Sequence, residues 1–267
     1  CVWTHTLLIE FSDLALIQNA SNLLNLFRRP KNIQQIENYS KSIKVDNRLS
    51  ERRNEKIFFD ELPSILNALY SCPCKKVFYE FDNDFPANII SILIWLQQWP
   101  RLRRNFRFCT LTSADRSRPN EPFDLQFVPS RYNIESKLKN KNDHILIRKE
   151  STKGNLTDNF ISLITDDICN INKSSGFHDF IWRFGAETDA GRKAFITITK
   201  IWHSLERNSA NSIDEAISYV ALLKPPITSL KDKIIENILS LLKENTNDIS
   251  EQIFDFLLDH LNLTNSI

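Results

Sequence analysis

One stretch limits the choice of fold more than any other. Lys75-Lys76-Val77-Phe78-Tyr79-Glu80-Phe81 has the bulky, β-forming content of a strand. Pro86-Ala87 then opens a helix whose apolar residues are Ile89, Ile90, Leu93, Ile94 and Leu96. Pro100 interrupts that helix after Trp99, and Phe106 to Thr112 reads as a second strand. A strand, a helix and a strand in this order predict a crossover, expected right-handed, and so a partly parallel sheet. Phe123 to Val128 adds a third strand and His144 to Arg148 an edge strand.

The opening Val2-Trp3-Thr4-His5-Thr6-Leu7-Leu8-Ile9 carries bulky side chains on both faces, which predicts a further, internal strand. A chain that starts in mid-strand without an initiator methionine reads as lacking its beginning. Ser12 or Asp13 is expected to cap a short helix after it. Residues 31–56 read as an exposed connection, and Ile65, Leu66 and Leu69 form the stripe of another helix. Beyond about 150 helical spacing takes over, from Phe160 through Phe177 to Phe184, Arg192 to Leu205, Ser212 to Leu223, Leu230 to Leu242 and Ser250 to Leu261. The expected class is therefore α/β or α+β, a mixed, partly parallel sheet with crossover helices followed by an α-helical region. The expected domains are 1–150, α/β, and 151–267, helical.

Composition narrows the function classes. The 34 basic and 33 acidic side chains nearly cancel, so net charge gives no general reason to bind nucleic acid or an anionic membrane. Cys72 and Cys74 are too close for an ordinary local disulfide, and five cysteines is an odd number. Reduced thiols and a cytoplasmic home are the expectation. No run of apolar residues is long enough to span a bilayer. The four glycines match neither phosphate-binding loop pattern, and no nucleotide or other cofactor is expected.

Candidate residues fall into four groups. His5, Cys109 and Asp13 supply by residue type a Cys–His–acid set for nucleophilic hydrolysis, although His5 reads better as a hydrogen-bonded strand residue. Asp82 and Asp84 end the Val77 strand, where they suit a metal or, better, a cap for the following helix. Arg101, Arg103, Arg104 and Arg107, with Arg116 and Arg118, suit a protein or phosphate contact. Phe254, Leu257, Leu258 and Leu261 sit on a last helix with no follower to cover its far face, which suits a partner. Trp182-Arg183-Phe184-Gly185 is expected to serve packing, with Gly185 ending a helix in left-handed backbone.

Several blocks together resemble the GTPase-associated protein one family. They are Val2 to Ile9, Val77 to Phe81, Trp99-Pro100-Arg101-Leu102-Arg103-Arg104-Asn105-Phe106-Arg107-Phe108-Cys109-Thr110, Phe123 to Pro129, Phe180 to Ala186, and Gly191-Arg192. The likeness covers residues 1 to about 205. The glycine-containing segment that usually precedes the Thr-His block in that family is absent here. The resemblance implies an accessory protein of bacterial conflict systems, in which a GTPase and effector modules are encoded together. It brings no catalytic residues. The function expected is a non-catalytic adaptor or scaffold for a GTPase or effector of an antiviral defence system. The alternative is a hydrolase using Cys109, His5 and an acid.

Overall fold

The computed structural model describes residues 6–17, 23–27, 29–43, 60–82, 85–138, 140, 142–148, 159–169, 176–243 and 250–264. Its strands are β1 (Lys76–Phe81), β2 (Phe108–Cys109), β3 (Leu125–Pro129) and β4 (His144–Arg148). They form one sheet in the order β2-β3-β1-β4, and every pairing is parallel. The helices are α1 (Phe11–Leu14), α2 (Leu62–Ser71), α3 (Ala87–Gln97), α4 (Pro100–Asn105), α5 (Asn159–Cys169), α6 (Gly176–Gly185) and α7 (Arg192–Glu206). Then follow α8 (Ala210–Ala221), α9 (Thr228–Lys243) and α10 (Glu251–Thr264). Among the described residues no helix is long and apolar enough to cross a membrane.

The two faces of the sheet have different coverings. Val77, Tyr79, Leu125, Phe127 and Ile147 point into the main apolar cluster, with α2, α3 and the later helices. One residue out of step, Phe78 and Val128 point the other way and pack with Ile134, Tyr132, Leu138 and Leu146. That second face is polar at both ends. At one end Lys76 Nζ and Gln126 Nε2 donate to the two oxygens of Asp115, each at 2.8 Å. At the other, Arg148 bridges Glu80 and Glu135. Gln126 is wholly buried, and its Oε1 accepts the Arg116 backbone N–H at 2.8 Å, so its amide is satisfied through both atoms.

Helices and sheet share one continuous core running from Leu62 to Ile253, across the expected boundary near 150. Residues 149–158, where that boundary falls, lie outside the described residues. Two features tie the sheet layer to the later helices. Arg192, at the first turn of α7, donates to Leu69 O at 2.9 Å and Lys75 O at 3.1 Å, and pairs with Asp124 at 2.9 Å. It thereby joins α2 and the starts of β1 and β3. Burial pushes the Asp124 carboxyl up, and the Arg192 and Arg107 charges only partly offset this. Gly191, just before α7, has φ +60°, a backbone state that strains any other residue.

The second feature is aromatic. The Tyr70 and Phe195 rings stack at 4.1 Å, and Phe195 stacks on Trp99 at 5.7 Å. On Trp99 lies Gly185: a Cβ there would sit 2.3 Å from Trp99 Cε3. The sequence pattern assigned Gly185 to left-handed backbone at a helix end. It does close α6, but the positive φ values among the described glycines belong to Gly191, and what Gly185 supplies is space.

Three sequence-based expectations change. Residues 6–9, the described part of the expected strand 2–9, are irregular, and Leu8 is 94% exposed. Alternating β-formers are insufficient without a paired neighbour, and residues 6–9 join neither edge of the sheet, β2 or β4. The expected strand 106–112 shrinks to Phe108–Cys109 because Phe106 still closes α4, donating its N–H to Leu102 O at 2.8 Å, while Leu111 turns outward. The cap of α1 is Glu10, in place of Ser12 or Asp13.

Gly185→Ala is expected to lower stability by about 2 kcal/mol in urea unfolding, because overpacking against a buried indole outweighs the roughly 1 kcal/mol that alanine gains over glycine inside a helix. Asp115 provides a pH readout. Burial raises its carboxyl, but hydrogen bonds from Lys76, Gln126 and Ser117 prevail and hold it at about 2. A depressed carboxyl contributes stability above its unfolded value, about 3.9, that is lost as pH falls through the folded one. An NMR titration should place the Asp115 midpoint near 2, and Asp115→Asn should flatten the stability curve between about pH 4 and about pH 2.

Candidate protein-docking surface

The last helix, α10, is fastened to α8 along one side. Ser250 Oγ donates to Asp214 Oδ1 and accepts the Ile253 N–H, so Ser250 both caps α10 and anchors it. Gln252 Nε2 donates to Ser218 Oγ at 2.9 Å and to Asp214 O at 3.2 Å. Ile253 is fully buried, and Phe256 and Leu257 pack half-buried against the main core. Phe254, Leu258 and Leu261 do not follow them inward. They are 56%, 42% and 55% exposed.

The arrangement follows from 3.6 residues per turn. Phe256, Ile253, Leu257, Leu261, Phe254 and Leu258 occupy an apolar arc of roughly 200° around α10, wider than one neighbouring helix covers. Beyond the exposed edge of that arc come Glu251, Asp255 and Asp259, spaced four apart and all exposed. The stretch Glu251–Thr264 contains no Lys or Arg. The surface is thus an apolar stripe with an acidic border on one side. Of the four residues the sequence proposed for this role, Leu257 turns inward to the core, and Phe254, Leu258 and Leu261 remain at the surface.

The other candidates are placed differently. His5 lies outside the described residues. Cys109, half-buried at the end of β2, directs its thiol to Leu111 O at 3.3 Å, and Asp13 is exposed on α1 with no hydrogen bond to it. Asp84 also lies outside the described residues, and Asp82 is no cap: its Oδ1 accepts from Ser130 Oγ at 2.9 Å, and Pro86 precedes α3 without a side-chain cap. No group of three potential metal ligands occurs among the described residues.

The arginines are separately engaged. Arg101 pairs with Asp189, Arg107 with Glu121 at 3.5 Å, and Arg104 lies over the Phe11 ring at 5.2 Å. Arg118 forms a backbone bridge to Glu121. Arg103 is a correction to the expected contact patch, because it is only 3% exposed. Its Nε donates to Trp95 O at 3.0 Å and its terminal nitrogens to Leu14 O, Ile17 O and Leu96 O. Its guanidinium also lies 4.4 Å from the Trp182 ring centroid and 5.1 Å from that of Trp95.

Trp182 has the packing role expected. Its Nε1 donates to Gln97 O at 2.9 Å, and Arg183 beside it stays exposed. One pair escaped the sequence reading. His178 Nδ1 lies 3.2 Å from Asp167 Oδ2, which also accepts from Gln97 Nε2 at 3.2 Å. The two residues are eleven apart on different helices, so no fixed spacing marks them. No family model, curated protein or solved structure matches this chain.

Proposed function

We propose that the chain is a protein-docking module whose contact helix is α10. The resemblance of its blocks to the GTPase-associated protein one family supplies the kind of partner: a GTPase or effector component of a bacterial defence system, met in the cytoplasm. In this reading the chain works as an adaptor or scaffold. The observation that carries it is the exposed stripe of Phe254, Leu258 and Leu261 on a helix whose opposite side is already fixed to α8. Side chains at i, i+4 and i+7 are the anchors by which a helix seats in an apolar groove. The helix is pre-ordered by its own packing, so docking requires little new ordering of the backbone.

The test is made in the intact multi-protein system. Phe254→Asp together with Leu258→Asp changes exposed positions and should leave unfolding within about 1 kcal/mol of wild type. Recovery of the GTPase or effector component is expected to fall at least roughly tenfold, equivalent to 1.4 kcal/mol of binding. Unchanged recovery overturns the assignment of α10. In the same assay Cys109→Ala, compared at matched stability, should leave system function near normal. A folded Cys109→Ala chain that still binds its partners but is functionally dead would replace the adaptor by the hydrolase with His5 and Asp13.

A further inference from the structure

The N-terminal stretch around α1 touches the rest of the protein through few groups. Leu14 and Ile17 are buried, whereas Phe11 and Leu16 are more than half exposed. Ile17 meets Ile92 and Leu96 on the outer side of α3, with Trp95 beside them. The hydrogen-bonding link is Arg103, which gives Leu14 O a hydrogen bond of 2.7 Å and Ile17 O one of 3.0 Å, while the Arg104 guanidinium lies over the exposed Phe11 ring at 5.2 Å. We infer that residues 11–17 form a detachable strap, with Arg103 as its latch, and that its release uncovers the part of Ile92 and Leu96 on α3 that Ile17 meets, beside the cover given by Leu23, Leu24 and Leu26.

The physical ground is the state of Arg103. Among the described residues its partners are carbonyls and indole rings, with no carboxylate. Burial pushes the guanidinium down to about 9, so it stays charged at neutral pH but without its water. Closing the strap therefore sets two carbonyl hydrogen bonds and two apolar anchors against the dehydration of a cation. Opening it returns water to Arg103 and to the carbonyls of Leu14 and Ile17 together. The remaining donations, to Trp95 O and Leu96 O, lie within the α3–α4 turn and do not depend on the strap. Such a segment opens locally well before the sheet does. This inference is independent of the role given to α10.

Hydrogen exchange followed by mass spectrometry on the full chain tests it. In wild type, amides of residues 11–17 should exchange faster than those of β1 and β3. Arg103→Met should speed exchange in 11–17 by a further factor of roughly ten or more, leaving β1 and β3 unchanged. Ile17→Ser, which spares the arginine, should do the same and serves if Arg103→Met does not fold. Strap amides as slow as those of β1 in wild type overturn the inference. So does an equal rise throughout β1, β3 and the strap in both variants, which would make the contact part of the global core.

Discussion

The close approach of Trp99 to Gly185 is the contact on which most of the architecture rests. Trp99 sits in the bend between α3 and α4, where Pro100 forbids continuation of one straight helix. That bend turns the indole inward, 1% exposed, between Phe195 of α7 and the backbone of α6. One side chain thus meets the crossover of the sheet layer and two helices of the later region. Only a residue without a side chain lets α6 come so near. The neighbouring Tyr70 hydroxyl accepts from Gln98 Nε2 at 3.2 Å, and burial pushes that hydroxyl up, so it stays protonated in the core.

Two arginines perform a related task by different means. Arg103 and Arg192 both donate to main-chain carbonyls distant in sequence, binding segments that share no regular hydrogen-bond ladder. Arg192 also has Asp124 as counter-charge and lies at the meeting of α2, β1, β3 and α7. Arg103 relies on the faces of Trp95 and Trp182. The planar, five-donor guanidinium suits this work, since one side chain can reach several carbonyls at once.

The central strand and α3 were legible because their apolar content is dense and bounded by prolines. β4 and the later helices followed from period alone, within a few residues. Parallel pairing throughout the sheet was only partly legible, because the fourth strand's partner is set by tertiary contacts. Residues 6–9 look like a strand by composition, yet composition does not say whether an edge is open to receive them. The buried state of Arg103 was hidden for a related reason: its surroundings are two indoles and carbonyls from elsewhere in the chain. The inward turn of Leu257 required knowing where α8 lies.

The Arg192–Leu69 hydrogen bond joins residues 123 positions apart. During synthesis, at roughly 5–20 residues per second, that separation corresponds to about 6–25 seconds between the appearance of α2 and that of the arginine which holds it. Over that interval the faces of Leu62, Ile65, Leu66 and Leu69, all fully buried in the finished protein, lack the α7 side chains that later cover them. The nascent chain therefore carries a sticky apolar helix throughout that interval. Transiently exposed apolar surface of this kind is what makes incomplete chains prone to aggregate, whatever the stability of the final fold.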